Sequence, residues 1–367
     1  MFSDLDTRHM QRALELAELG RYSSQPNPRV GCVIAQGAEA VGEGSHLIAG
    51  QAHAEVNALK MAGERARGAT AYVTLEPHCF HGKTPPCTDA LIRAGIKRVV
   101  CGVLDPNPKV SGEGVRQLQA AGIETQVGLL EQQARELNVG FEKRMRTGLP
   151  RVIVKLAASL DGRTALANGT SKWITGEAAR TDVQRLRAEC GAIVTGINTV
   201  LADDPQLNVR DASIDTRGRQ LLKVILDSNL RTPASARISA DGSVLIATSA
   251  RDIEQRRSAY PKSIELLNVA TVEEGRLDLH AVLVELGRRQ CNDVLVEAGP
   301  TLAGRFIADG LADVVIVYVA PVALGDAARP LLHLPRLERM DAALQFSLKQ
   351  ALPIGRDLKL TYVPQAR

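Results

Sequence analysis

Aromatic residues are scarce in this chain: five Phe, five Tyr and one Trp make up 3% of 367 residues. So few flat side chains leave little on which single-stranded bases could stack. An excess of one charge sign is missing too. The 45 Lys and Arg against 41 Asp and Glu leave a net charge of +4, without the basic footprint that binds a nucleic-acid backbone. No apolar run nears the ~20 residues of a membrane span. The acidic, amphipathic start MFSDLDTRHMQRALELAELG lacks the pattern of a secretory signal. The cytoplasm is therefore the expected compartment, and the six cysteines read as thiols or metal ligands rather than as a disulfide framework. Finally, no G-x-G-x-x-G follows a strand, which argues against a Rossmann domain.

What is present is an ordinary globular balance, 45% hydrophobic and 23% charged, with cores that must be mostly aliphatic. At roughly 150 residues per domain the length implies two domains. Residues 7–19 carry apolar side chains at helical spacing. Strands are expected at 30–34, 71–75 and 98–104, with helices at 54–62 and 87–94 between them, an alternation that argues for a parallel-rich α/β sheet. A further helix is expected over 131–145. RTGLPR then supplies Gly and Pro, which places the boundary near 147–150 and gives domains of 1–147 and 148–367. The second half has strand candidates at 152–157, 192–195, 223–227, 243–247, 293–297 and 314–320, a polar loop over 205–222, and a closing hairpin from QFSLKQAL and DLKLTYV.

The chemistry of the first half is carried by H-A-E at 53–55, opening a helix, and by TLEPHCFHGKTPPC, which ends one strand and opens another helix. An isolated H-x-E is mostly chance, and two cysteines near a loop are often plain buried thiols. In this order and on these elements they form the constellation of hydrolytic zinc deaminases. Three ligands hold zinc and leave its fourth position to water. Glu55, two residues from the ligand His53, suits the proton transfer. Cys87 at a helix start is expected to gain thiolate character from the helix dipole.

PNPRVGCVIA, GEGSH, AHAEVNAL, TLEPHCFHGKTPPC and DPNP closely resemble the deaminase domain of the bifunctional riboflavin-biosynthesis deaminase–reductases. The resemblance implies a cytidine-deaminase-like α/β/α domain holding zinc. This chain departs from the family at one ligand. The family has cysteine nine positions before the last cysteine, where this chain has His78, and Cys79 follows one position later. Register favours His78, whereas the family's two-thiolate charge favours Cys79; His53 and Cys87 are the other two ligands. The resemblance further implies substrate contacts from Asn27 and His46, from Lys83 and Thr84 toward the phosphate, and from Asp105 and Asn107 in the DPNP loop. Asn, Asp and Pro in such loops are also common turn formers.

The second half carries VLVEAGPTLAGRFI, a strand, a Gly-rich turn and a helix start, where backbone amides can cradle phosphate. With KLAASLDGRTA, SKWIT and TVLADDPQLNVR, it resembles the reductase domain of the same enzymes, which implies a dihydrofolate-reductase-like α/β fold using NADPH. By that resemblance the cofactor would meet Ala157, Trp173, Thr199, Asp203, Ser228 and the turn Gly299, Pro300, Thr301, Leu302, Ala303, Gly304 and Arg305, with Lys155 and Asp161 beside the same cleft. The sugar phosphate would meet Ser171, Arg187, Leu207, Arg210 and Glu297. The expected partner is thus a small pyrimidine ribosyl phosphate, with no nucleic acid and no membrane, and self-association is the expectation for an enzyme of this size.

Overall fold

The computed structural model describes residues 2–365 apart from Lys83 and Leu337. The chain divides into two compact units, Met1–Leu149 with Asp215–Arg219, and Pro150–Ile214 with Gln220–Arg367.

The first unit runs α1 (Asp4–Glu18), β1 (Gly31–Gln36), β2 (Glu39–Ser45), α2 (Ala54–Ala62), β3 (Thr70–Leu75), α3 (Cys87–Arg93), β4 (Arg98–Val103), α4 (Glu113–Ala120), β5 (Glu124–Val127), α5 (Glu131–Leu137) and α6 (Val139–Thr147). Its five strands lie in the order β2-β1-β3-β4-β5. The sheet is mixed. β1 pairs antiparallel with both β2 and β3, and only β3-β4-β5 is parallel. Alternation along β1 sends Val33 and Ala35 toward Met10, Ala13 and Leu16 of α1. Cys32 and Ile34 point the other way, into a core shared with Ala54, Ala58, Leu91 and Leu118 of α2, α3 and α4. The result is the expected α/β/α layering.

Helix α1 starts earlier than its apolar spacing implied, because Ser3 and Asp6 form a capping box. Strand β2 had no sequence signal. Its EAVGEGS is polar and Gly-rich because α2 lies against it: a Cβ on Gly42 would sit 2.3 Å from Ala58 O, and one on Gly44 2.1 Å from Ala54 O. The helix expected over 131–145 is two helices. Asn138 leaves helical geometry at φ −128°, its amide taken by the backbone of Arg29 (Oδ1 accepts from Arg29 N at 2.8 Å, Nδ2 donates to Arg29 O at 2.9 Å).

The second unit runs β6 (Arg151–Ser159), β7 (Arg163–Ala165), α7 (Glu177–Glu189), β8 (Ala192–Gly196), α8 (Ile197–Asp203), β9 (Leu222–Leu226), β10 (Val244–Thr248), α9 (Ile253–Arg256), β11 (Ile264–Asn268), α10 (Leu279–Arg288), β12 (Asp293–Glu297), α11 (Pro300–Ala308), β13 (Val314–Ala320), β14 (Arg329–Pro330), β15 (Phe346–Ile354) and β16 (Asp357–Pro364). Nine strands form one sheet, β11-β10-β9-β8-β12-β6-β13-β16-β15. The first seven are parallel, and the β15–β16 hairpin closes the sheet antiparallel. Ile153, Ile193, Ile225, Leu295 and Ile316 share one face with Ala179, Val183 and Leu186 of α7, the aliphatic core that a chain poor in aromatics must build. Along β6 and β12, the same face that carries Ile153 and Leu295 ends in Lys155 and Glu297.

Candidate active sites

In the first unit the helix starts converge. His53 is the N-cap of α2 and Cys87 the first residue of α3, after two prolines that end the preceding loop. His78 follows β3, and its carbonyl accepts from Cys87 N at 2.9 Å. The three side chains meet: His78 Nδ1 lies 3.2 Å and His53 Nδ1 3.3 Å from Cys87 Sγ. Ligand atoms around a tetrahedral zinc stand about 3.4–3.6 Å apart, given Zn–N and Zn–S lengths of about 2.0–2.3 Å. Among the described residues, this is the one group of three His, Cys, Asp or Glu side chains with donor atoms within 4.8 Å of one another. Cys79 is not in it. Its Sγ points at the carbonyl of Lys109, 4.0 Å away.

The electrostatics fit a cation. Burial, with His46 and His78 nearby, pushes His53 down to about 4, so its imidazole stays neutral. Burial raises the Cys87 thiol far above its ordinary value, and the Glu55 carboxylate raises it further. The thiolate expected from the helix dipole is thus outweighed and needs a positive charge beside it. Burial also raises Glu55, whose Oε2 is buried with no hydrogen-bond partner. An orphaned buried carboxylate oxygen costs free energy in a folded chain unless it has a task.

Around this group, Asn27 Nδ2 lies 3.0 Å from His46 Nε2, and His46 Nδ1 3.2 Å from Ala52 O. The carbonyl can only accept, so Nδ1 carries the proton and Nε2 takes Asn27's. Thr84, expected at a phosphate, instead has its hydroxyl 3.3 Å from His53 Nε2. Lys83 lies outside the described residues. Asp105 and Asn107 sit just beyond β4, with Asn107 N donating to Asp105 Oδ1 at 2.8 Å. Burial pushes Asp105 up to about 7, the Asn107 amide opposing and Glu76 adding to it. The sequence reading missed Glu76. Its buried carboxylate accepts from the backbone N–H of Asp105 (3.1 Å), Gly112 (2.9 Å) and Val115 (3.1 Å), and so shapes the loop that presents Asp105 and Asn107. An acid directly before Pro77 at the end of a strand pattern was the available signal.

In the second unit a cleft of about 880 Å³ opens over the carboxyl ends of β9, β8, β12, β6 and β13, where open parallel sheets place their ligands. It gathers Lys155 and Ala157 from β6, Ser171 and Trp173 from the segment after β7, and Arg187 from α7. Thr199 and Asp203 of α8, Leu207 and Arg210 beyond it, and Ser228 after β9 join them. Glu297 ends β12, and Gly299, Pro300, Thr301, Leu302 and Arg305 follow at the start of α11. Glu297 anchors the floor. It accepts from Arg187 Nε at 2.6 Å and Nη2 at 3.0 Å, with Lys155 Nζ at 3.7 Å. Burial alone would raise this carboxyl, but the two cations outweigh it and hold it at about 2. Arg187 Nη1 also donates to Asn208 O (3.1 Å), and Arg210 N to Gln184 Oε1 (3.0 Å), tying the polar loop to α7. Trp173 is exposed at the cleft, with the Arg180 guanidinium 4.6 Å from its ring centre.

Three expected cofactor residues do not line the cleft. The Asp161 carboxylate is taken by Ser159 Oγ (2.5 Å) and by the amides of Leu324 (3.1 Å) and Gly325 (2.7 Å), which hold it at about 2. Ala303 is fully buried. Gly304 packs so closely that a Cβ would lie 2.0 Å from His333 O. Conversely, Tyr318 reaches the cleft floor unforeseen, its hydroxyl donating to Asp182 Oδ2 at 2.5 Å while Lys359 Nζ donates to the same oxygen at 2.7 Å. It is the one aromatic in the otherwise aliphatic VVIVYVA strand.

A His/His/Cys cluster with a buried carboxylate on one unit, and a sheet-end cleft with a phosphate-type turn on the other, define a bifunctional deaminase–reductase. Comparison with known proteins agrees. Residues 3–103 match the cytidine and deoxycytidylate deaminase zinc-binding region, and residues 150–360 match the RibD C-terminal domain. The riboflavin biosynthesis protein RibD of Escherichia coli K12 is 49% identical over 98% of this chain and 99% of its own length, and that of Haemophilus influenzae 47% identical over 99% of both. Among solved structures, Acinetobacter baumannii RibD aligns with a TM-score of 0.91 at 46% identity, covering 99% of each chain. A Thermotoga maritima diaminohydroxyphosphoribosylaminopyrimidine deaminase/5-amino-6-(5-phosphoribosylamino)uracil reductase aligns at 0.87 and 32%, covering 98% of this chain and 99% of its own. The chain belongs to the RibD family of riboflavin biosynthesis proteins. It is a bifunctional enzyme that combines a zinc-dependent deaminase with a reductase using NADPH. No helix among the described residues is long and apolar enough to cross a membrane.

Proposed function

We propose that residues 1–147 deaminate 2,5-diamino-6-(5-phosphoribosylamino)pyrimidin-4(3H)-one, and that residues 148–367 reduce the ribosyl group of the product to give 5-amino-6-(5-phosphoribitylamino)uracil. The two activities for which the Thermotoga maritima relative is named support this order of substrates. His53, His78 and Cys87 hold the zinc and Cys79 does not, since the first three donor atoms converge and Cys79 turns away. Zinc, when bound, acidifies a coordinated water toward neutral pH. Glu55 then receives the water's proton at its unpartnered Oε2 and passes it to the leaving ammonia. Thr84 fixes the ring of His53 through Nε2, as partners of metal ligands do, rather than binding phosphate. Lys83 keeps its expected phosphate role. Asn27, with His46 accepting one of its protons, presents the pyrimidine with a fixed amide, and Asp105 and Asn107 close the other side.

In the reductase, Glu297, Arg187, Ser171, Leu207 and Arg210 bind the sugar phosphate, and Lys155 lies beside Glu297 in the same cleft. NADPH, when bound, supplies the hydride that turns ribosyl into ribityl. The turn 299–302 receives its pyrophosphate, and Ala157, Trp173, Thr199, Asp203, Ser228 and Arg305 position it. Asp161, Ala303 and Gly304 shape this site from behind rather than touching the cofactor. The enzyme works in the cytoplasm as a homo-oligomer. The observation that carries the reading is the orphaned Glu55 oxygen beside three converging ligands. Glu55→Gln should keep its zinc and stop releasing ammonia; zinc-loaded variant that still deaminates would overturn the reading.

A further inference from the structure

We infer that Arg356 and Asp357, at the turn of the β15–β16 hairpin, are positioning residues for the reduction: they hold the segment 171–176 so that Ser171 and Trp173 face the cleft together. The inference rests on reading the second unit's cleft as the reductase site. Between β7 and α7 the chain passes through SKWITG, which has no helix or strand of its own. Ser171, Trp173, Ile174 and Thr175 all line the cleft, so one irregular stretch carries both an expected substrate contact and an expected cofactor contact. Such a stretch has no ladder to occupy its peptide groups and must find partners elsewhere. Here three consecutive residues each have a backbone group taken by a charged side chain. Arg356 Nη2 donates to Ile174 O at 3.0 Å, Arg180 Nη1 donates to Thr175 O at 2.8 Å, and Gly176 N donates to Asp357 Oδ2 at 2.7 Å. Two of the three side chains come from the hairpin turn, 182 and 181 residues further along the chain.

The turn is packed closely against what it holds. A Cβ on Gly176 would meet Arg356 Cγ and Asp357 Oδ2 at 3.4 Å, and one on Gly355 would meet Ala178 Cβ at 3.0 Å. Asp357 is buried, and its Oδ1 has no hydrogen-bond partner, with Arg356 Nε 3.7 Å away. Gly176 is the N-cap of α7 and has no side chain to cap with. Asp357 supplies the missing carboxylate from the hairpin, where the positive end of the helix dipole favours it. Helix α7 in turn carries Arg180, Gln184 and Arg187 to the cleft. Arg180 completes the clamp, since the guanidinium that bonds Thr175 O also lies over the ring of Trp173. Without Asp357 the Gly176 N–H loses its acceptor, and both the wall bearing Trp173 and the start of α7 lose a fixed point.

Two activities in one chain give the test an internal control. Asp357→Ala, Asp357→Asn and Arg356→Ala are made in the full-length protein, and thermal unfolding checks that each is folded. Ammonia release from the diaminopyrimidine substrate reads the first unit, and NADPH oxidation with the deaminated substrate reads the second. Trp173 is the single tryptophan of the chain, so its fluorescence anisotropy reads the segment itself. Asp357→Ala should leave deamination as in the wild type, raise the reductase KM for NADPH and for the deaminated substrate about ten-fold, and lower the Trp173 anisotropy. Asp357→Asn, whose amide oxygen can still accept from Gly176 N, should recover most of each loss. Arg356→Ala, at an exposed side chain, should give the same changes more weakly, and it decides the question if Asp357→Ala does not fold. Wild-type KM values, or raised KM values with Trp173 as rigid as before, would overturn the inference while leaving the assignment of the cleft in place. Failure of folded wild type to oxidise NADPH with the deaminated substrate would overturn both.

Discussion

His78 is where this chain differs from the family pattern read in its sequence, and the difference is testable one residue at a time. If His78 holds the metal, His78→Ala should purify with little zinc and His78→Cys with a full equivalent, while Cys79→Ala should not change the metal content. Mass-spectrometric metal analysis reads all three. Zinc loss from Cys79→Ala, with retention in His78→Ala, would reverse the assignment. Glu55→Gln should keep zinc and lower the deamination kcat by at least about 10²-fold, the scale of a lost general acid–base group. The identities of His53, Glu55 and Cys87 were legible because H-x-E and a helix-opening cysteine stand at fixed spacings. The state of Cys87 was not, since a dipole argument from position on a helix omits burial and the adjoining carboxylate, which raise the thiol instead. Sequence placed Thr84 beside the metal loop but did not say that its hydroxyl faces His53 Nε2.

Helices and strands position these residues through a few polar anchors, and the anchors set the element-level expectations. Asp6 ties α1 to the sheet: its carboxylate accepts from Arg98 Nη1 and Tyr72 Oη, both at 2.7 Å. The Arg98 hydrogen bonds hold it far below the ordinary carboxylate range. A carboxyl depressed by folding stabilises fully above its unfolded pKa of about 3.9 and loses that contribution as pH falls below it. Asp6→Asn should therefore cost the first unit about 2 kcal/mol at pH 7, and the gap from wild type should shrink as thermal melts are taken below about pH 4. A gap independent of pH would deny the ionic link. Glu76→Gln replaces an oxygen that receives backbone N–H groups with an amide that can donate. It should raise the deamination KM about ten-fold with zinc content unchanged, because the loop carrying Asp105 and Asn107 loosens while the metal ligands do not. A KM equal to wild type would remove Glu76 from substrate positioning. At this scale the sequence was legible where period and propensity agree, as in α2, β12 and β13. It was illegible at β2, whose glycines serve the approach of α2, and at Asn138, where a side chain pairing with the distant Arg29 backbone interrupts the helical pattern.

For the molecule as a whole, the division of labour between the two halves followed from motif order, yet the grouping of Asp215–Arg219 with the first unit did not. Those residues lie inside a polar loop with no periodicity to mark them. The cleft of the second unit was only partly legible as well. Its turn and its acidic anchor sit in short motifs, but Tyr318 and Arg276 come from segments that the topology alone brings to the same strand ends. The central claim is that deamination and reduction reside in one chain and occur in that order. The most direct measurement is NADPH oxidation on adding the undeaminated diaminopyrimidine ribosyl phosphate to wild type and to Glu55→Gln. Wild type should consume NADPH, and the variant should do so only when given the deaminated substrate. Consumption by the variant with the undeaminated compound would contradict the order, and failure of folded, zinc-loaded wild type to oxidise NADPH even with the deaminated substrate would contradict the assignment of the second unit.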